Sequence, residues 1–222
     1  MRLAALVLAL ILALPCRPAA AQHVKRIALT FDDGPHKIYT PKILKLLCEY
    51  GAPSTFFVIG ENAESYPELV LAEFEQGHEI GNHTYSHAAL KGNGAAEIKK
   101  ADDVIRGITG VTPSLFRPPE GKLSPELKKE LVLMNKTPVL WSIDTRDWAH
   151  TDREEIIKNI KENAKDGAII LFHDFISGDS PTPYVLSVVL PYLREQGYVF
   201  VTVSELLEPQ PDKGVSSSNF IG

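Results

Sequence analysis

The chain has 222 residues, 44% of them hydrophobic and 23% charged, with a formal net charge of −5. That length and composition suit one large domain with a substantial core. The acidic balance argues against nucleic acid or an anionic membrane surface as a partner, and two cysteines are too few for a disulfide scaffold.

Residues 1–21 read as a signal peptide. Arg2 gives a positive start, Leu3 to Leu14 is an apolar run short for a bilayer span, and Ala19-Ala20-Ala21 offers a small-residue cleavage site. The expected product is exported, periplasmic or extracellular, with no membrane association after cleavage. An uncleaved anchor is the alternative. The mature domain then covers 22–208. Residues 209–222, rich in Ser, Pro, Asp and Lys, read as a disordered tail. Cys48 is expected to be buried on the apolar side of a helix.

From Val24 onward, strand-like runs alternate with helical patterns. Ile27–Phe31 reads as a strand and Pro41–Tyr50 as a helix stopped by Gly51. Ser54–Ile59 is a second strand, and Pro67–Gln76 a helix ended by Gly77. Glu79–Asn82 is a short strand, Ala95–Gly107 a helix carrying the adjacent Asp102 and Asp103 on a solvated face, and Leu115-Phe116 a strand. Ser124 caps a helix running to Met134, and Pro138–Ile143 is a strand. Thr151-x-x-Glu154 has capping-box spacing and opens a helix to Ala164. Ala168–Phe172 is a strand, Tyr184–Gln196 a helix, and Tyr198–Val203 the last strand. Such alternation predicts an α/β domain with parallel strands. Periodicity alone leaves a closed barrel and an open doubly wound sheet equally available. In both, function lies at the C-terminal ends of the strands.

Ionisable residues gather at those ends. Asp32 and Asp33 follow the first strand and precede the turn Gly34-Pro35. His83 and His87 follow the third, Arg117 follows Leu115-Phe116, Asp144 and Asp147 follow Pro138–Ile143, and His173 and Asp174 follow Ala168–Phe172. Two adjacent carboxylates are unfavourable unless something holds both ionised. A metal on one and a cation beside the other would do so; a solvated turn is the plain alternative. His83 and His87, four apart, would share one face in a helical turn and could grip one metal. Thr84 stands where a zincin would carry its Glu base. Two His plus Asp33 would make a two-His-one-carboxylate site with open positions, leaving Asp32 free as a general base.

Five motifs occur in order: Thr-Phe-Asp-Asp-Gly-Pro (30–35), Asn-His-Thr-Tyr-Ser-His (82–87), Arg-Pro-Pro-Glu-Gly (117–121), Asp-Thr-Arg-Asp-Trp (144–148) and Leu-Phe-His-Asp (171–174). Together they resemble the polysaccharide deacetylase family, carbohydrate esterase family 4, across residues 24–207. The resemblance implies a single-domain α/β fold, a distorted (β/α) barrel of about seven parallel strands. It implies one divalent metal, usually zinc, on Asp33, His83 and His87, though this ligand set also suits Co, Mn, Fe or Ni. Asp32 would be the base acting on water at the metal, Arg117 its partner, His173 the acid that protonates the leaving amine, and Asp147 the partner of His173. Trp148 and Leu171 would wall the acetyl pocket. The implied substrate is an N-acetylated glycan, of peptidoglycan or chitin type. The alternatives are an O-acetyl esterase, a small-amide hydrolase, or a glycan-binding protein without catalysis.

Physical chemistry fits those roles. An amide leaves badly unless its nitrogen is protonated, so an acid is needed opposite the base. A carboxylate beside His173 would keep it charged near neutrality, which separates acid from base. One position departs from the family pattern: Glu120 stands where an aromatic residue is common. The expected consequence is a changed groove wall, disfavouring acidic glycans and tolerating partly deacetylated ones. His78 is expected to be structural, His36 to line the site or merely pack, and Asp144 and Asp174 to support Asp147 and His173. Oligomeric state is not legible in the sequence.

Overall fold

The apolar run after Lys25 forms the central strand β1 (Lys25–Asp32), buried from Ile27 onward, as a parallel strand covered on both faces should be. The computed structural model describes residues 23–209 apart from Lys91 and Asn93. The expected signal peptide and the tail from 210 onward lie outside the described residues. Val24–Pro209 form one compact unit.

Strands β2 (Thr55–Val58), β3 (Glu79–Asn82), β4 (Leu115–Phe116), β5 (Thr137–Pro138), β6 (Ile143–Asp144), β7 (Ala168–His173) and β8 (Tyr198–Phe200) complete one sheet. Its order is β5-β4-β3-β2-β1-β7-β6, with β8 also paired to β1. Every pairing is parallel. β5 and β6 stand at opposite ends of that order, yet both belong to the single stretch 137–144. Val139 N–H bonds the Phe116 carbonyl at 2.8 Å, and Ser142 N–H bonds the Ile169 carbonyl at 2.9 Å. This stretch therefore joins the two ends and closes the curled sheet into a distorted barrel, as the resemblance implied. The sequence reads it as one continuous strand. Its middle is unpaired because Arg117 reaches into the gap, donating from Nε to the Val139 carbonyl (3.2 Å) and from Nη2 to the Leu140 carbonyl (3.3 Å).

Helices α1 (Tyr39–Tyr50), α2 (Gly60–Ser65), α3 (Pro67–Glu75), α4 (Gly94–Thr109), α5 (Pro125–Leu133), α6 (Arg153–Asn163), α7 (Thr182–Glu195) and α8 (Val203–Leu207) accompany the sheet. α1 buries Ile43, Leu44 and Leu47 and stops at Gly51, whose left-handed backbone suits glycine. Ser124 caps α5 by accepting from Leu127 N–H. Phe31 stacks on Phe56 (4.8 Å between ring centroids) and Phe172 (5.6 Å), giving β1 an aromatic layer below its last residues.

Several expectations are corrected. Cys48 is exposed, because it turns away from the face that carries Leu44 and Leu47. Asp152, not Thr151, caps α6; the Thr151 hydroxyl donates to the Arg146 carbonyl instead. A capping box does form at Thr202 and Glu205, so the chain after Phe200 turns into α8 rather than extending as strand. Asp103 is solvated and paired with Lys99 and Arg106. Asp102 is buried and ion-paired with Lys136 at 2.7 Å.

Candidate metal centre and active site

Strand register assembles the site. β1 and β7 pair with Asp32 opposite His173, and β1 and β2 pair with Asp32 opposite Phe57. β2 sets Val58 against Asn82, and β3 sets Asn82 against Phe116. One residue past those strand ends come Asp33, His83 and Arg117. The two Asp residues diverge because Asp33 takes a left-handed backbone (φ 73°), strain of about 1–3 kcal/mol that the surroundings must sustain. Gly34 is required at the next position: a Cβ there would lie 2.1 Å from Asp174 Oδ2.

His83 Nε2 lies 3.3 Å from Asp33 Oδ1, and His87 Nε2 lies 3.4 Å from the same oxygen. The candidate ligand atoms of these three residues all fall within 4.8 Å of one another. Asp33 Oδ1 is buried and has no hydrogen-bond partner among the described residues. His83 Nδ1 sits 2.7 Å from the Arg117 carbonyl. A carbonyl only accepts, so in the neutral ring Nδ1 carries the hydrogen and Nε2 keeps its lone pair toward Asp33. An orphaned carboxylate oxygen facing two imidazole nitrogens fits a divalent cation. The imidazoles do not share a helical turn as the spacing suggested. Residues 83–87 form a loop in which Thr84 (φ 70°) and His87 (φ 55°) are both left-handed.

Beside this triad, Asp32 Oδ1 accepts from Arg117 Nη1 at 2.7 Å. Arg117 is wholly buried, lies 4.1 Å from the Phe57 ring centroid, and also donates to Thr30 Oγ1 at 2.7 Å. On the far side, Asp147 holds His173 twice: Oδ1 lies 2.8 Å from Nδ1, and Oδ2 accepts the His173 backbone N–H at 2.8 Å. Thr182 Oγ1 and Trp148 N–H complete the carboxylate's shell. His173 therefore presents Nε2 to the cleft.

The cleft has a volume of about 570 Å³ and is lined by Asp32, Asp33, His83, His87 and His173 together with Glu120, Asp144, Trp148 and Leu171. Arg117 and Asp147 stand behind that wall, each gripping a residue that faces inward. Two lining residues escaped the sequence reading, Lys122 and Trp141. Lys122 directly follows the Arg-Pro-Pro-Glu-Gly motif and forms an ion pair with Glu120. Trp141 was hidden inside the stretch read as strand. A second cleft of about 450 Å³ adjoins the first and shares His87, Glu120 and Lys122 with it.

Charge is distributed unevenly. Burial works against protonation of His173, but the Asp147 hydrogen bond and charge, with Asp32 and Asp33, raise it to about 9. Burial also opposes the charge on Asp33, yet His83, His173 and His87 hold its carboxyl below the ordinary value. Asp174 is pushed up to about 7, chiefly by burial. Its Oδ2 accepts from Thr40 at 2.5 Å and its Oδ1 is unpartnered among the described residues. Asp174 thus braces Thr40 and the floor under Gly34 rather than His173. Asp144 does support its loop, accepting the Arg146 N–H at 2.9 Å. His36 packs, stacked on Tyr39 and edge-on to Phe175. His78 is structural, buried with Nδ1 accepting the Ser54 N–H.

Residues 19–139 match the family model described as polysaccharide deacetylase. A peptidoglycan-N-acetylglucosamine deacetylase of Bacillus cereus is 43% identical over 190 residues, 82% of this chain and 88% of that protein. The solved structure of a peptidoglycan deacetylase from Bacillus subtilis aligns with a TM-score of 0.76 at 35% identity, covering 82% of this chain and 90% of that one. A family 4 acetyl xylan esterase from Clostridium thermocellum, in complex with a cobalt ion, aligns with a TM-score of 0.76 at 34% identity and the same coverage. Other relatives are longer: this chain spans 39% of a peptidoglycan-N-acetylglucosamine deacetylase of Listeria monocytogenes.

Proposed function

The chain belongs to the polysaccharide deacetylase family, and from that premise we propose that it is an exported, divalent-metal-dependent deacetylase of N-acetylated glycan, peptidoglycan N-acetylglucosamine above all. One observation carries the reading. The orphaned Asp33 oxygen faces His83 and His87, with a buried Asp32–Arg117 pair on one side and a His173–Asp147 pair on the other. A binding protein has no need of a base and an acid set across one cleft. Export is supported by the leader pattern of residues 1–21. The glycan is supported by what the relatives act on.

Asp33, His83 and His87 would hold the ion, zinc by preference. When bound it would supply Lewis-acid polarisation of the acetyl carbonyl and a water of lowered pKa. Asp32 takes the proton from the attacking water. Arg117 fixes the Asp32 carboxylate so that one oxygen is free for that transfer. His173, charged through Asp147, donates from Nε2 to the leaving nitrogen as the C–N bond breaks. Trp148 and Leu171 flank the acetyl methyl, and Glu120 with Lys122 borders the sugar. The products are acetate and a glycan amine.

The acetyl xylan esterase among the structural relatives favours a second reading, hydrolysis of O-acetyl esters in the same cleft. An alkoxide leaves more readily than an unprotonated amide nitrogen, which would depart as RNH−, so an ester depends less on His173. The test is acetate release from N-acetylglucosamine oligomers and from acetylated xylan, before and after chelation. Release from the former, lost with chelator and restored by zinc or cobalt, is expected. Stoichiometric metal without any turnover on either substrate would leave a glycan-binding protein.

A further inference from the structure

The loop that carries both imidazoles has no regular structure of its own, yet its backbone is strained at two non-glycine residues, Thr84 and His87. Something outside it must impose that shape. Asn82, the fully buried last residue of β3, does part of this. Its Oδ1 accepts the Thr84 N–H at 2.8 Å. Its Nδ2 donates to the Ile98 carbonyl and to Asp102 Oδ1, both at 2.8 Å. Asp102 in turn is gripped by Lys136 at 2.7 Å, and Lys136 also donates to the Pro113 carbonyl. The orientation of the Asn82 amide is thus fixed from behind by a buried ion pair. Thr84 then passes the constraint on, since its Oγ1 accepts the His87 N–H at 3.0 Å. The same helix α4 makes a second attachment, with Glu97 accepting from both the backbone and the hydroxyl of Ser86.

A buried Lys–Asp pair is costly to desolvate and is weak evidence of stability by itself. Here it holds an amide whose other end sets the turn between two candidate ligands. We propose that Asn82, locked by Asp102 and Lys136, is the positioning residue of the metal centre: it sets the spacing of His83 and His87 about Asp33 and thereby the affinity for the ion. The inference rests on the metal-centre reading above. It adds residues 20 and 54 positions away from Asn82 in the chain, none of which touches a ligand atom.

The test compares wild type with Asn82→Ala and with the double variant Asp102→Leu/Lys136→Met, which removes both charges together and leaves no orphaned ion. Lys99→Gln, an exposed residue on the same helix, is the control. Cobalt(II) is the probe. Its dissociation constant is measured by chelator competition, and its visible absorption reports the ligand set. Asn82→Ala and the double variant are expected to unfold cooperatively, bind cobalt roughly 10–100-fold more weakly, and show an altered cobalt spectrum, while Lys99→Gln matches wild type. A lowered melting temperature with unchanged cobalt affinity and spectrum would reduce the network to scaffolding and overturn the proposal. Should Asn82→Ala fail to fold, the double variant decides. Wild type that takes up no cobalt would remove the metal reading alone. The imidazole resonances of the metal-free proteins then decide positioning: sharp His87 signals in wild type and broadened ones in the variants support it, and identical spectra overturn it.

Discussion

Arg117 Nη1 lies 2.7 Å from Asp32 Oδ1, and the guanidinium is wholly enclosed while the carboxylate borders the cleft. The pair is therefore lopsided: one partner is enclosed, and the other faces the cleft, where the proposed mechanism uses it as the base. Asp32→Asn keeps an acceptor for Arg117 but loses the basic oxygen. Turnover is expected to fall by roughly 10²–10⁴, with metal content unchanged by elemental analysis. Arg117→Met instead leaves a buried carboxylate unpaired and should cost about 3–5 kcal/mol of stability, read by denaturant unfolding. An active Asp32→Asn enzyme would remove Asp32 from the base role.

His173 is the group through which the proposed mechanism depends on pH. Its folded pKa of about 9 exceeds the ordinary 6.5, so the stabilisation is fully present below about pH 6.5 and is lost as pH rises through 9. At about 1.4 kcal/mol per unit this is worth roughly 3 kcal/mol. In its proposed role of general acid His173 must be protonated, so activity is expected to fail on the alkaline side. Asp147→Asn should bring the imidazole titration back toward 6.5 and shift the alkaline limb of kcat downward with it. A bound dication beside Asp33 opposes the proton, so the holoenzyme limb should fall below the titration of the metal-free protein. Histidine resonances followed across pH, with and without zinc, check both. An unmoved limb in Asp147→Asn would assign the acid elsewhere.

Why the sequence exposes the chemistry so well, and the supports so poorly, follows from geometry. Asp32, Asp33, His83, Arg117 and His173 sit at or just past strand ends, and parallel register then aligns them without further information. The helix starts at Tyr39, Pro125 and Arg153 are local events and were legible to within a few residues. What stays hidden depends on partners far away in the chain. Asp102 reads like its neighbour Asp103 until Lys136, 34 residues on, comes to lie against it. The break between β5 and β6 is invisible because its cause is a side chain from β4's end. The loop 83–87 has helical spacing but is held in another shape by Asn82 at the end of β3 and Glu97 of α4.

Asp174 stands next to His173 in the chain and does a different job. With a folded pKa of about 7 against an ordinary 3.8, it favours folding when neutral. That contribution is present below about pH 3.8 and is lost as pH rises through 7. Asp174→Asn keeps an acceptor for the Thr40 hydroxyl and cannot ionise. The variant should therefore gain stability over wild type above pH 7, by up to a few kcal/mol, and differ little at pH 4. Thermal melts at pH 4, 6 and 8 measure this. The His173 titration should move far less than in Asp147→Asn, because Asp147 is its main partner. A gain at every pH, or a His173 displaced as far as in Asp147→Asn, would contradict the separation of the two residues.

Glu120 is the lining residue expected to bear on specificity. It is exposed, its carboxyl is held below the ordinary value by its contact with Lys122, and the pair stands where the two clefts meet. A lone carboxylate there would repel acidic glycans and attract partly deacetylated ones. Pairing with Lys122 offsets much of that charge, and exposed pairs are screened by salt. Glu120→Gln frees Lys122 and turns a neutral pair into a net positive charge. The ratio of kcat/KM on partly deacetylated to fully acetylated oligomers should fall a few-fold at low ionic strength. At high salt the two proteins should converge, because the effect is electrostatic and open to solvent. Glu120→Tyr should lower the ratio as well, yet its added sugar contact should survive salt. Identical ratios in all three proteins at low salt would mean that the cationic sugar never approaches this wall, and Glu120 would then matter only for the left-handed turn it occupies.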